Sequence, residues 1–295
     1  MNYIGVNGKV VPADEAVISV MDHGFMYGLG LFETFRTYNG TPAFLSWHLD
    51  RLNQGCRTLG IVYEPQPLKL RGHLSELLAA SGLTEAYIRY TVTAGEDGLG
   101  LPSSDYLSPQ EIVYVKPLPA APAALYTDGR SLRLLATRRN TPEGDVRLKS
   151  VHYMNNILAK RELSARLKPG DEPAEGLLLT AEGYLAEGIV SNLFFISKDV
   201  LYTPSIKTGI LPGITRRCVL ELASVSGLAV EEGLYTWQDL LQADEVFITN
   251  SIQELVPVTA LYDLEDRRHN VGTGKCGNHT ALLLQAYREK VRDFG

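Results

Sequence analysis

Three prolines in six residues, Pro117-Leu118-Pro119-Ala120-Ala121-Pro122, prevent any regular element from running through the middle of this chain. Each proline locks φ and removes a backbone donor, which denies both a helix interior and a central strand. The run predicts a small N-terminal domain over 1–117, an interdomain linker over 118–124 and a larger domain over 125–295. A chain of 295 residues is long enough to build two cores.

The flanking patterns predict a mixed α+β chain. Asn7-Gly8 and Asn39-Gly40 each sit between apolar stretches and read as hairpin turns. Helices are expected from Trp47 to Gly60, with Leu49, Leu52 and Cys56 on one side, and from Pro67 to Ser81. Ala86–Thr93 and Glu111–Val115 read as strands, rich in β-branched and aromatic residues. Beyond the linker, strands are expected over 131–137, 176–180, 184–188, 193–196 and 200–202. Ile214 to Ser226 reads as a helix ending at Gly227, Thr236 caps a short helix with Asp239 at its third position, and the last helix runs near Thr280 to Arg292. The regular alternation of a doubly wound sheet is absent.

Composition excludes several classes. A net charge of -6, with Lys and Arg spread along the chain, leaves no nucleic-acid footprint. No apolar run is long enough to span a bilayer, and the start lacks the basic and apolar regions of a signal peptide. Cys56, Cys218 and Cys276 lack metal-ligand spacing and read as free thiols of a reducing cytoplasm.

The chemistry-bearing residues lie in an ordered series. Lys149 ends a short alternating segment and precedes an amphipathic run with Met154, Ile157 and Leu158 at helical spacing. Arg147, two positions earlier, would share its strand face and could depress the pKa of the amine. Glu187 stands in an otherwise apolar stretch, followed by Ser191-Asn192. Gly213-Ile214-Thr215 opens a helix with a hydroxyl beside free amides, which suits a phosphate. Taken singly, each has a plain alternative: a solvated lysine, an exposed strand glutamate, an ordinary capped helix. Arg51, after His48-Leu49-Asp50, would by itself be a surface arginine.

Together the segments resemble a known family. Asp22–Arg36, His48-Leu49-Asp50-Arg51-Leu52, the Lys149 segment, Glu187-Gly188 with Ser191-Asn192-Leu193-Phe194, Leu211–Arg216 and Ala243–Ser251 follow the order seen in class IV aminotransferases, the fold-type-IV enzymes dependent on pyridoxal 5'-phosphate (PLP). The resemblance implies a two-domain α+β fold like that of D-amino-acid aminotransferase. It implies that Lys149 carries PLP and shuttles protons, and that Glu187 faces the pyridine nitrogen. Arg51, Ile214, Thr215 and Ser251 would hold the phosphate. It further implies a small-molecule substrate and a homodimer with active sites near the subunit interface, and no nucleic-acid or membrane partner.

Within the family two activities compete. Ala86-Tyr87-Ile88-Arg89 resembles the branched-chain aminotransferases. Phe32–Arg36, Arg138–Gly144 and Arg147–Glu162 look more like the 4-amino-4-deoxychorismate lyases, which release 4-aminobenzoate and pyruvate. The lyase is the leading expectation and a transaminase acting on branched-chain or D-amino acids the alternative. Arg36 and Arg89 are the candidate anchors for substrate carboxylates. His152 and Tyr153 stand where several family members carry asparagine.

Overall fold

The computed structural model describes residues 2–119, 121–171 and 173–293; Ala120, in the expected linker, lies outside them. The chain divides into two compact units: Met1–Pro119, Leu148–His152 and Val291–Gly295 in one, Ala120–Arg147 and Tyr153–Lys290 in the other.

The first unit is built from β1 (Tyr3–Val6), β2 (Lys9–Pro12), α1 (His23–Met26), β3 (Gly30–Tyr38), β4 (Thr41–Pro42), α2 (Leu45–Thr58), α3 (Pro67–Ser81), β5 (Ala86–Thr93) and β6 (Gln110–Pro117). Its antiparallel sheet has the order β2-β1-β6-β5-β3-β4. Both Asn-Gly turns have positive φ at both residues, the backbone that favours Asn and Gly in a tight hairpin. Strand β3 alternates. Leu31 and Phe35 join Leu45, Leu49 and Leu52 of α2 in the core, which turns Phe32, Thr34 and Arg36 to the opposite face. Helix α3 has the bounds the sequence predicts: proline occupies its first turn and Gly82 ends it in the left-handed region.

The second unit contains α4 (Ala124–Thr127), β7 (Arg130–Leu134), α5 (Met154–Arg166), β8 (Ala174–Leu179), β9 (Leu185–Gly188), β10 (Asn192–Ser197), β11 (Val200–Pro204), α6 (Ile214–Ser226), β12 (Ala229–Gly233), α7 (Trp237–Leu241), β13 (Glu245–Asn250), β14 (Glu254–Tyr262), β15 (Arg268–Asn270) and α8 (Asn278–Asp293). Its nine-stranded mixed sheet runs β12-β11-β10-β13-β14-β7-β8-β9, with β15 on β14. Leu132, Leu177, Leu193, Ile248 and Val256 are fully or almost fully buried in its core. Thr236 and Asp239 close the expected capping box on α7. Among the described residues no helix is long and apolar enough to cross a membrane.

Two local readings need correction. Residues 147–149 form no strand. On α5 the buried positions are Asn156, Ala159 and Leu163, while Met154, Ile157 and Leu158 are exposed. Helical spacing identified the helix but not its buried face. The neighbouring cluster of Leu135, Leu178 and Ile189 takes up Ala159 and Leu163 instead.

Candidate active site

In the first unit, the segment carrying Lys149 is stitched to the start of β3. Phe32 donates its amide to the Lys149 carbonyl at 2.9 Å, and Val151 donates to Gly30 at 3.0 Å. The antiparallel bridge between Leu31 and Ser150 sets Lys149 opposite Phe32. Leu148 packs on the core cluster that contains Leu31 and anchors the segment. The Lys149 Nζ atom lies 4.6 Å from the centre of the Phe32 ring. The Arg89 guanidinium lies 3.6 Å from the centre of the same ring. A basic amine and a guanidinium thus both lie against the Phe32 ring.

Arg51 projects from α2 onto Glu33 of β3. Its Nε and Nη2 donate to the two carboxylate oxygens at 2.7 and 2.6 Å. Glu33 is almost wholly buried, and His48 Nδ1 meets it at 2.6 Å. Burial alone would raise the carboxyl pKa, but the charges and hydrogen bonds of Arg51 and His48 hold it at about 2. Burial in turn keeps His48 below the ordinary histidine range, and the charges of Arg51 and Lys149 add to this. Arg51 is therefore a fixed guanidinium, oriented by a fork that lysine cannot form.

In the second unit, Glu187 on β9 gathers a polar network. Arg139 Nε donates to its Oε1 at 2.8 Å. Asn192 Nδ2 and the Leu211 amide donate to Oε2 at 3.2 and 3.1 Å. Arg147 Nε lies 4.0 Å from Oε1. Burial still pushes the Glu187 pKa above the ordinary range, only partly offset by Arg139, the Leu211 amide and Arg147. A carboxylate has about four lone-pair sites. These three hydrogen bonds leave one on Oε1, on a group whose charge is incompletely compensated. A protonated ring nitrogen fits that acceptor site in charge and in hydrogen bonding.

Asn192 ties Glu187 to the start of α6. Its Nδ2 also donates to the Leu211 carbonyl at 2.8 Å. A Cβ on Gly213 would fall 2.0 Å from Asn192 Oδ1, so glycine lets this side chain approach without moving. Gly213 offers no capping side chain, and the first amides of a helix have no intrahelical acceptor. Thr215 Oγ1 is buried there without a hydrogen-bond partner, as are Ser191 Oγ and Thr249 Oγ1. Thr249 pairs with Asn192, α6 packs on β13, and Ser251 follows in the turn after β13. Unpartnered donors at an uncapped helix start are the chemistry a phosphate satisfies. The residues present fit PLP at both its nitrogen and its phosphate.

The structure thus brings Glu187 and Asn192 to the start of α6, where Ile214 and Thr215 lie, and brings Lys149 and Arg89 onto one ring. Arg36 has other partners: its Nη2 donates to Glu85 at 3.2 Å, and its guanidinium stacks on Tyr38. It sits four residues beyond Phe32, about 13 Å further along β3. Arg147 is buried and engaged within the second unit. Its donors go to the Gly209 carbonyl and to Asn140, and its guanidinium attends Glu187. Sequence reading assigned no role to Arg139, Asn192, Glu33 or His48. Arg139 and Glu187 are 48 positions apart, and no local periodicity links such a pair.

Known proteins resemble this chain in sequence and in fold. The profile of the amino-transferase class IV family matches residues 30–261. The chain is 39% identical to the aminodeoxychorismate lyase of Bacillus subtilis (strain 168), over 99% of this chain and 95% of that protein. It is 36% identical to a putative branched-chain-amino-acid aminotransferase of Methanocaldococcus jannaschii, over 99% and 96%. The solved T.th. branched-chain amino acid aminotransferase with pyridoxamine 5'-phosphate superimposes with a TM-score of 0.84 at 28% identity, covering 100% of this chain and 95% of that one. The profile over residues 30–261 agrees with relatives and fold over nearly the whole length, and the chain belongs to the class IV aminotransferase family.

Proposed function

We propose that this chain is a PLP-dependent lyase converting 4-amino-4-deoxychorismate into 4-aminobenzoate and pyruvate. The observation that carries this is the 39% identity, over 99% of the chain, to the Bacillus subtilis aminodeoxychorismate lyase. PLP supplies an electron sink for a C–H bond broken beside the substrate amine. Lys149 would carry the group, Glu187 would hold its ring nitrogen, and Arg51, Ile214, Thr215 and Ser251 its phosphate.

Lys149 Nζ, freed once the substrate amine takes its place, would take the proton from the amine-bearing carbon. As the ring becomes aromatic, the C–O bond to the enolpyruvyl arm breaks. Return of a proton to the arm's methylene completes pyruvate. Arg89, on the Phe32 ring with Lys149, is the better-placed carboxylate anchor. Arg36 already holds Glu85 through Nη2.

The relatives also support transamination of branched-chain or D-amino acids: the Methanocaldococcus jannaschii protein above, and a D-alanine aminotransferase of Bacillus licheniformis at 31% identity. Incubation with aminodeoxychorismate, and separately with an amino acid plus 2-oxoglutarate, separates the two. Pyruvate and 4-aminobenzoate from the first mixture are expected. Fast amino transfer without pyruvate release would replace the lyase by the transaminase. Lys149→Ala is expected to lose the borohydride-reducible attachment of PLP.

We also propose a cytoplasmic homodimer. The free thiols suit a reducing compartment. Val17, Val20, Phe25, Leu99 and Leu101 expose apolar surface on two segments joined by hydrogen bonds from His23 to Gly95 and from Asp97 to Met21. Light scattering of the purified protein tests the dimer.

A further inference from the structure

We propose that Arg139 is the positioning residue that sets the charge state of Glu187, and through it keeps the cofactor's ring nitrogen protonated; this rests on the reading that Glu187 faces that nitrogen. A physical difficulty motivates it. A glutamate as buried as this one favours its neutral form, and a neutral carboxyl cannot stabilise a positive ring nitrogen.

Among the described residues, few charged side chains surround Glu187. Arg139 and Arg147 come from the segment between β7 and α5, with Glu143 acting on Arg147. Glu175 comes from β8, where its Cγ lies 3.2 Å from the Cβ position of Gly188; it is influenced by Arg130 and Lys160 and accepts the amides of Gly176 and Ile189. From β10 and the Leu211 segment come only neutral donors. Among the described residues, Arg139 is the one cation within hydrogen-bond distance, at 2.8 Å, whereas Arg147 stays at 4.0 Å with its donors on Gly209 and Asn140.

Arg139 is also held still. Its Nη1 donates to Asn155 Oδ1 at 2.7 Å and to Asn140 Oδ1 at 3.2 Å, with Asn156 Oδ1 at 3.5 Å. Asn140 Oδ1 also accepts from Arg147 Nη1 at 3.2 Å, so one amide oxygen braces both guanidinium groups. Asn155 and Asn156 belong to the first turn of α5. Only Nε of Arg139 reaches Glu187. The single contact lowers the carboxyl's proton affinity without saturating its acceptors, and the remaining site on Oε1 is left for a ring N–H.

The test uses the PLP-loaded protein and the NMR shift of isotope-labelled ring nitrogen across a pH series, with PLP release as a second readout. Arg139→Gln is expected to move the acid-side midpoint, at which the ring nitrogen loses its ionic partner, upward by about 1–3 pH units. Between the wild-type and shifted midpoints, PLP release should quicken by up to about tenfold for each pH unit moved. Arg139→Lys, which restores charge without the fork, should fall between wild type and Arg139→Gln. In a Glu187→Gln background, Arg139→Gln should change nothing further. A midpoint unmoved by Arg139→Gln, with Glu187 intact, overturns the proposal. A ring-nitrogen signal indifferent to Glu187→Gln overturns instead the reading of Glu187 on which it rests. Should Arg139→Gln fail to fold, Asn155→Ala keeps the charge but loosens it; a smaller upward move supports the proposal and no move overturns it.

Discussion

Each unit buries a glutamate against an arginine, and the two pairs end in opposite states. In the first unit, Arg51 directs Nε and Nη2 at Glu33, His48 adds a third contact, and the carboxyl is held at about 2. In the second, Arg139 gives Glu187 one nitrogen and commits Nη1 to asparagines, and the carboxyl rises above its ordinary range. Burial is similar, with side-chain exposures of 1% for Glu33 and 6% for Glu187. What differs is how much of the guanidinium fork is engaged. Glu33 is an anion whose charge is compensated by Arg51 and His48 and which fixes Arg51, whereas the charge of Glu187 is only partly compensated.

The sharpest way to break this comparison is to neutralise each acid in turn. Glu187→Gln is expected to slow proton abstraction by about 10²–10⁴-fold at saturating PLP, measured in single turnovers, while the protein stays folded. If it unfolds the protein as readily as a Glu33 variant does, the two glutamates are alike and the contrast fails.

Glu33→Gln should act on stability. The folded pKa of Glu33 lies below its ordinary 4.5, so its stabilisation is complete above about 4.5 and is lost as pH falls toward about 2. That amounts to about 3 kcal/mol at neutral pH, read by urea unfolding, and the variant should lose this part of the acid sensitivity. Glu187 runs the other way. Without cofactor, its raised pKa favours folding below the ordinary value, and this contribution fades as pH rises through the folded pKa. An acid-unfolding curve of Glu33→Gln that superimposes on wild type would contradict the description of Glu33 as a charge-compensated anion.

Arg51→Ala should weaken PLP binding by about 1.5–3 kcal/mol, the range for hydrogen bonds to charged groups, and spare turnover once PLP is saturating. Unchanged PLP affinity with reduced turnover would move Arg51 from cofactor to substrate. The smallest expected effect is that of Thr215→Val. The Thr215 hydroxyl is buried and unpartnered, so the cofactor-free protein should keep or slightly raise its thermal midpoint. PLP affinity should fall by about 0.5–1.5 kcal/mol. Equal affinity in equilibrium titration would remove that hydroxyl from the phosphate contacts.

The residues that could be read in advance are those whose signal is local. Helix α3 announces its ends through Pro67 and Gly82, and α7 through Thr236 and Asp239. The family pattern singled out Lys149 and Glu187 because the order of short segments survives along the chain. Helix α5 shows where local reading ends. Its spacing was legible, but the side that it buries depended on Leu135, Leu178 and Ile189, which come from elsewhere in the chain.

By itself, then, the sequence determined the positions of turns and caps, the α+β character and the family, since these depend on residues close to one another or on their order. Tertiary structure alone decided which arginine serves which carboxylate. Glu33 and Arg51 meet across 18 positions and Glu187 and Arg139 across 48, and the pairing depends on sheet register and on which side of a strand faces a helix. It also decided that Arg147, two residues before Lys149, attends Glu187. Charge states follow from burial and from the number of donors at each oxygen, and these exist only once distant segments are packed together.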